Sequence, residues 1–281
     1  MKFLLTAINA KFIHSNPAIY SLRACVGEKL QPHVELAEFT INESLESILE
    51  GIWKRQPEVI GFSCYIWNWK LIREILTELP KILPDTEIWL GGPEVTYDGP
   101  GLLREFPQIT GIMVGEGEVT FREVLEQYVR EAESTGQSEQ QPESDSTVQQ
   151  AADRTGTVAG KSVAERFGQI PGLCLASGYT APRDLTDLTT LPFLYEDMEP
   201  FTNRIIYYET SRGCPYRCSY CLSSIDKKVR LRDISVVKRE LQFFLDQNVK
   251  QVKFIDRTFN CDHKHAMEIW QYIYEHDNGV T

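Results

Sequence analysis

Short apolar runs alternate with amphipathic stretches over the first 130 residues, and this alternation constrains the fold more than any other feature of the sequence. The apolar runs have the length of strands, and the stretches between them have helical spacing. Alternating strands and helices form a parallel sheet with helices on both faces, so we predict a doubly wound α/β domain. The predicted strands are 2–8, 34–39, 58–64, 87–91 and 111–115, and the predicted helices are 17–30, 43–55, 67–82, 101–106 and 118–130.

Composition and charge exclude several classes of protein. The chain has 281 residues, of which 42% are hydrophobic and 25% charged, enough for about two globular domains. No apolar run approaches the ~18–20 residues of a membrane span, and the N-terminus lacks an export signal. Seven cysteines without such a signal indicate a cytoplasmic protein whose thiols are reduced or bound to metal. A net charge of −11 argues against nucleic acid as a partner.

The chain is predicted to contain four successive parts. Residues 1–130 form the flavodoxin-like sheet domain, and 131–165, which contain no aromatic residue, Leu, Ile or Met, form a disordered linker. Residues 166–200 provide a connecting hairpin and a strap. Residues 201–281 follow a second βα pattern, with strands at 204–210 and 250–256 and helices at 234–246 and 262–275. At ~30 residues per unit this is part of a (β/α) barrel, so we expect a chain shortened at its C-terminus.

Three cysteines lie on one short loop directly after the first strand of this second pattern. Cys214, Cys218 and Cys221 form C-x3-C-x2-C within TSRGCPYRCSYCLSS. Three thiolates at this spacing can bind three irons of a [4Fe–4S] cluster and leave the fourth iron for a small chelating molecule. Tyr220 would lie beside the last ligand. The alternatives are a zinc site, with Cys261 or His263 as fourth ligand, or three unconnected core cysteines.

The cysteine motif and its position after a barrel strand resemble the radical S-adenosylmethionine (SAM) superfamily. The resemblance covers 200–281 and implies that the three motif cysteines bind a [4Fe–4S] cluster whose free iron is chelated by SAM. An electron donor such as flavodoxin or ferredoxin would supply the electron that cleaves SAM to methionine and a 5′-deoxyadenosyl radical. Asp256, at the end of the second strand, would contact SAM or substrate. The alternative role of Asp256 is to cap the following helix.

Polar and glycine residues follow the strands of the N-terminal half at the edge where a doubly wound sheet binds its ligand. The runs IGFSCYIWN, WLGGPEVTYD and MVGEGEVTF resemble the cobalamin-binding domain that precedes the barrel in one radical SAM subfamily. The resemblance implies that Ser63, Gly91, Gly92, Gly115 and Glu116 line the corrin or its nucleotide tail. The axial-histidine loop of cobalamin mutases is absent. His14, in NAKFIHSNP, is interpreted as a loop or helix-start residue. The alternative is a sheet domain that only docks on the barrel.

These observations predict a cobalamin-binding-domain radical SAM enzyme that cleaves SAM reductively for methyl transfer or radical rearrangement of a substrate that is a small molecule or of unknown kind. The alternative is a non-catalytic module that binds corrin and an iron–sulfur cluster, or an inactive fragment. A methylthiolation enzyme would need three further cysteines in the N-terminal domain, where only Cys25 and Cys64 are found.

Overall fold

The computed structural model describes residues 1–138, 161–224 and 228–276. The chain divides into two compact units. Unit 1 comprises Met1–Lys11 and Ala18–Leu185, and unit 2 comprises Phe12–Pro17 and Thr186–Thr281.

Unit 1 contains the predicted doubly wound sheet. Its first five strands lie in the order β2-β1-β3-β4-β5, all parallel, which is the flavodoxin-like order. The fold class expected from the sequence is confirmed. The strands are β1 (Phe3–Asn9), β2 (Val34–Thr40), β3 (Val59–Ser63), β4 (Glu87–Gly91) and β5 (Ile109–Met113), and the helices are α1 (Pro17–Cys25), α2 (Leu45–Trp53), α3 (Trp69–Ile82), α4 (Gly99–Glu105) and α5 (Gly117–Ser138).

Both faces of this sheet are covered, as its sequence pattern requires. Every residue of β1 is buried, because side chains that alternate along the strand enter one core or the other. Leu4 and Ile8 pack in the core that α2, α3 and α4 cover. Phe3 and Leu5 pack in the opposite core, which contains residues of α1 and α5.

The chain returns to the sheet after the predicted linker. α5 continues to Ser138 and α6 begins at Val163, so both ends of the predicted 131–165 linker are helical, and residues 139–160 lie outside the described part of the chain. The predicted hairpin is present as β6 (Leu173–Leu175) and β7 (Gly178–Tyr179). β6 pairs antiparallel with β5, so the hairpin extends the sheet and is part of unit 1 rather than a connection between domains.

A buried arginine holds α6 (Val163–Phe167) against the sheet. Arg166 donates to both carboxylate oxygens of Glu87, at 2.9 and 3.0 Å, and to Glu131 on α5. Glu87 also accepts a hydrogen bond from Tyr128, whose hydroxyl in turn accepts one from Trp89. Residues before and after the linker therefore share one network of charge-assisted hydrogen bonds.

Unit 2 is built around two parallel strands with a helix after each. β8 (Ile206–Tyr208) pairs with β11 (Val252–Phe254), and α7 (Ile234–Asp246) and α8 (His263–Glu275) follow the predicted helices closely. Two short strands, β9 (Ser211–Arg212) and β10 (Arg230–Leu231), pair with each other in antiparallel fashion. In the sequence, β9 precedes the cysteine loop and β10 follows it. The sequence did not predict this pair.

A buried, hydrogen-bonded group of three side chains, Tyr208, Arg232 and Glu240, joins β8 to α7. Glu240 on α7 accepts hydrogen bonds from Tyr208 and from both terminal nitrogens of Arg232. Burial raises the pKa of Tyr208, which therefore remains a hydrogen-bond donor. This group fixes the strand that leads into the cysteine loop.

Among the described residues, no helix combines the length and the apolar character that crossing a membrane requires.

Candidate functional site

The C-terminal edge of the sheet in unit 1 brings several predicted ligand residues together. Ser63, the last residue of β3, lies opposite Gly91, the last residue of β4, and Gly91 lies opposite Met113 of β5. Gly115 and Glu116 follow β5 within three residues. Five residues predicted from separate motifs thus lie at the ends of three adjacent strands: Ser63, Gly91, Gly92, Gly115 and Glu116.

Asn68 holds this edge in shape, a role that its place in the sequence does not reveal. Its fully buried side chain donates to the carbonyls of Ile8 and Ser63, at 3.1 and 2.9 Å, and accepts from the backbone N–H of Tyr65. The order β2-β1-β3 places the reversal of strand order between β1 and β3. Asn68 therefore joins the two strand ends at the point where doubly wound sheets bind ligands.

The two glycines Gly92 and Gly115 of this edge differ in the space around the position that a Cβ would take. Gly92 has φ +111°, and a Cβ there would lie 2.5 Å from the carbonyl oxygen of Cys64, so its lack of a side chain serves internal packing. Gly115 has φ +81° with no atom within 4 Å of a Cβ position. Only Gly115 leaves open space above the edge, which a large flat ligand can approach.

Aromatic residues of the β3–α3 loop are exposed beside this edge. Tyr65 and Trp67 stack on each other with ring centroids 4.4 Å apart, and Trp67 remains 48% exposed. Stacked, partly exposed rings on a glycine-rich strand edge are suited to contact with a planar ring system. The open space at Gly115 and these rings fit the corrin that the sequence predicted.

Cys64 is not available as a ligand or nucleophile. It is fully buried, and burial raises the pKa of its thiol. Its backbone N–H donates to the carbonyl of Gly91 at 2.7 Å, so Cys64 is part of the frame of the edge.

We expect alkylation to separate the cysteines by burial. Under native, reducing conditions iodoacetamide should modify exposed Cys218 first and leave buried Cys64 and Cys174 unmodified. Peptide mapping by mass spectrometry measures the extent of labelling at each position. Labelling of Cys64 at a rate within twofold of Cys218 would contradict the burial described here.

The cysteine loop of unit 2 begins at a turn after β9. Gly213 is buried with φ +93°, a conformation that side chains rarely adopt, and the chain then turns outward through Cys214 to Cys221. Cys218 is exposed, and Cys214 and Cys221 are half-buried. Tyr220, predicted beside the last ligand, is 90% exposed.

The three thiols fit an iron–sulfur cluster by chemistry and spacing, although they do not converge in this structure. Among the described residues, no group of three or more His, Cys, Asp or Glu side chains is placed to hold a metal ion. All seven cysteines are described and none of them forms a disulfide. The five residues Pro215, Tyr216, Arg217, Cys218 and Ser219 are exposed, so no packed core opposes the closing of the loop around a cluster.

Asp256 supports the start of the cysteine loop. Its carboxylate accepts from the hydroxyl of Thr210 at 2.7 Å and from that of Ser211 at 2.5 Å, as well as from the backbone N–H of Thr210. The following helix is capped by Asp262, whose side chain accepts from the backbone N–H of His265, so the capping alternative for Asp256 is wrong. Contact of Asp256 with SAM or substrate stays a prediction.

His14 belongs to unit 2 and is engaged there. Its Nδ1 lies in hydrogen-bond contact with the hydroxyl of Tyr207, the two rings stack, and His14 forms a parallel bridge with Ile205. The interpretation of His14 as a structural loop residue agrees with these contacts.

The sheet domain is similar to a known family of domains. Residues 4–125 match the family described as "B12 binding domain". This range covers the five parallel strands apart from Phe3 and the first turns of α5, up to residue 125, and it includes every predicted residue of the edge. The sheet of unit 1 is therefore similar in sequence to B12 binding domains.

Relatives extend the similarity past the sheet domain. The chain is 26% identical over 230 residues to a 2-(S-pantetheinyl)-carbapenam-3-carboxylate methyltransferase of Streptantibioticus cattleyicolor, covering 77% of this chain and 29% of the relative. It is 27% identical over 215 residues to the cobalamin-dependent radical SAM methyltransferase TokK of Streptomyces tokunonensis, covering 73% of this chain and 28% of TokK. An uncharacterised methyltransferase of Pyrococcus horikoshii is 25% identical, with 80% of this chain and 45% of the relative covered.

Solved structures share the fold of nearly the whole chain. OxsB, a cobalamin-dependent SAM radical enzyme solved with aqua-cobalamin and SAM bound, matches with a TM-score of 0.69 and 15% identity over 99% of this chain and 38% of OxsB. The radical SAM methyltransferase TsrM of Kitasatospora setae matches with a TM-score of 0.62 and 18% identity, over 98% of this chain and 51% of TsrM.

These comparisons confirm the resemblance to radical SAM proteins with a cobalamin-binding domain that the sequence predicted. The chain spans between 28% and 45% of the length of the first curated relatives it matches.

Proposed function

We propose that this chain binds cobalamin at the C-terminal edge of unit 1 and a [4Fe–4S] cluster with SAM at the cysteine loop of unit 2. The activity would be reductive cleavage of SAM for methyl transfer or radical rearrangement of a small molecule. The observation that carries the proposal is the presence, in one chain, of a match to the B12 binding domain family and of a C-x3-C-x2-C loop that follows β8, a parallel strand, and the short strand β9. Relatives that are methyltransferases support it.

Residues of unit 2 would hold the cluster and orient its loop. Cys214, Cys218 and Cys221 are the proposed iron ligands, and Asp256 fixes the start of the loop through Thr210 and Ser211. When bound, a cluster of this type supplies the electron for cleavage of SAM. We further propose an electron-transfer protein such as flavodoxin or ferredoxin as partner, and a reducing cytoplasm as the site of action.

Residues of unit 1 would hold the corrin without a histidine from the loop after β1. His14 is engaged with Tyr207 in unit 2, so the corrin would be held by the glycine edge and by the aromatic residues of the β3–α3 loop. In this arrangement the loop after β1 would supply no histidine to the corrin.

We expect Gly115→Ala to weaken cobalamin binding about tenfold or more, because the added methyl group enters the open space above the edge. Calorimetric titration with aquacobalamin measures the affinity. Gly27→Ala is the matched control: Gly27 is exposed, has φ +77° and also has no atom within 4 Å of a Cβ position. Both changes should cost about 1–2 kcal/mol of stability, since both force a side chain into the left-handed region.

Equal cobalamin affinity in the two variants would contradict the proposed edge, and absence of binding to the unaltered chain would contradict the corrin site altogether.

A second assay distinguishes an enzyme from a non-catalytic binding module. It measures the release of 5′-deoxyadenosine from SAM, with and without cobalamin, after the cluster has been reconstituted. Release above that of a chain lacking Cys218 supports an enzyme. No release, with cluster and SAM both bound, favours the binding module.

A further inference from the structure

The loop that follows β11 contacts the cysteine loop at two points. Asp256 binds Thr210 and Ser211, just before the loop, and two residues later the hydroxyl oxygen of Thr258 lies 3.2 Å from the sulfur of Cys214. Asp256 thus supports the backbone of the loop, while Thr258 touches a proposed iron ligand directly.

Thr258 is held in place by its own segment. The backbone N–H of Cys261 donates to the carbonyl of Thr258 at 3.0 Å, and Asp262 then caps α8. On the other side, the backbone N–H of Ile255 donates to the carbonyl of Tyr208 at 2.9 Å, which ties the end of β11 to β8. The half-buried hydroxyl of Thr258 therefore sits on a turn fixed at both ends.

We propose that Thr258 is a positioning residue that donates a hydrogen bond to the Cys214 sulfur and thereby raises the reduction potential of the cluster. The inference rests on the proposed function. A thiolate that binds iron has no proton to donate, so in the loaded protein the hydroxyl is the donor. The reduced cluster carries one more negative charge than the oxidised cluster, so the hydrogen bond stabilises the reduced form more.

Three variants test the electronic effect. Thr258→Val removes the hydroxyl at nearly constant volume, Thr258→Ser keeps it, and Thr189→Val makes the same change at an exposed threonine of unit 2. Each chain is reconstituted anaerobically, its iron and sulfide are counted, and the midpoint potential is measured by EPR at a series of poised potentials. For Thr258→Val the ratio of reduced to oxidised cluster at a given potential should fall about tenfold, equivalent to about 59 mV for one electron. Thr258→Ser and Thr189→Val should keep the unaltered potential.

A second experiment tests the contact without any cluster. In the iron-free Thr258→Cys variant, mild oxidation should form a disulfide between the introduced thiol and Cys214. The reason is that the Thr258 Oγ1 atom, which the new sulfur replaces, lies 3.2 Å from the Cys214 Sγ atom. Peptide mapping should find this link in preference to links with Cys218 or Cys221. Thr189→Cys, oxidised in the same way, should form no link with Cys214.

The outcomes separate the failure of this inference from that of the proposed function. A cluster that loads normally but keeps its potential in Thr258→Val overturns the role of Thr258 alone, as does a Thr258→Cys variant that links elsewhere. An unaltered chain that takes up no iron overturns the proposed function, and the role of Thr258 with it.

Discussion

Arg166→Met is expected to lower the free energy of unfolding of unit 1 by about 3 kcal/mol, since it removes the cation from a buried network and leaves two carboxylates facing each other. The Arg166 side chain is 1% exposed and pairs with Glu87 and Glu131, each 21% exposed. Because both carboxylates keep some contact with water, we expect the low end of the range for a broken buried pair. Urea denaturation followed by circular dichroism measures the change.

Arg122→Met is the control for this change. Arg122 lies on α5, is 45% exposed and pairs with Glu126 at 3.8 Å, so the same substitution there should cost less than about 0.5 kcal/mol. Adding Glu87→Gln and Glu131→Gln to Arg166→Met should recover part of the loss, because the buried charges are then gone. If Arg166→Met is as stable as Arg122→Met, the network does not hold α6 to the sheet.

Cys218→Ser is expected to remove most of the iron from the reconstituted chain, from about four irons to less than one. Cys218 is the exposed, central thiol of the loop, and a hydroxyl is a poor ligand for a cluster that thiolates hold. Because Cys218 lies on the surface, its replacement should leave the free energy of unfolding of the iron-free chain unchanged. Colorimetric iron and sulfide counts measure the effect.

Cys261→Ser is the matched control and also tests the zinc alternative. Cys261 is half-buried in unit 2 and was, with His263, one of two candidates for the fourth ligand of a zinc site. In the proposed cluster it has no role, so the variant should load as much iron as the unaltered chain. Loss of metal from Cys261→Ser as well as Cys218→Ser, with zinc as the metal bound, would contradict the iron–sulfur site.

The sheet of unit 1 was predictable because burial on both faces leaves a strong pattern. β1, β2, β3 and β4 match their predicted ranges within one residue at each end, and the β2-β1-β3-β4-β5 order is that expected of a flavodoxin-like domain. β5 begins at Ile109 rather than at 111, because Ile109 is buried in the sheet although the polar Thr110 separates it from the apolar run.

The edge hairpin and the Arg166 network were not predictable in the same way. Strand pairing between β5 and β6 joins segments separated by the predicted linker, and no local pattern encodes a contact over that distance. Arg166 stands next to Phe167 in a five-residue helix, and only the folded chain shows that Glu87 and Glu131 meet it.

The residues of the candidate sites also divide into those that a local sequence pattern reveals and those that only the folded chain reveals. The cysteine spacing is local, so Cys214, Cys218 and Cys221 could be named from the sequence. Asn68 and Thr258 act through contacts with distant segments, and a single Asn or Thr after a strand carries no distinctive signal. Gly92 and Gly115 look alike in sequence, and only their surroundings show that Gly92 serves packing while Gly115 is open.

Anaerobic reconstitution with iron and sulfide, followed by iron counting and low-temperature EPR with and without SAM, tests the central claim most directly. The account predicts about four irons per chain and a reduced-cluster signal that SAM changes, because the fourth iron has no protein ligand. Zinc in place of iron, or a cluster signal that SAM leaves unchanged, would contradict it.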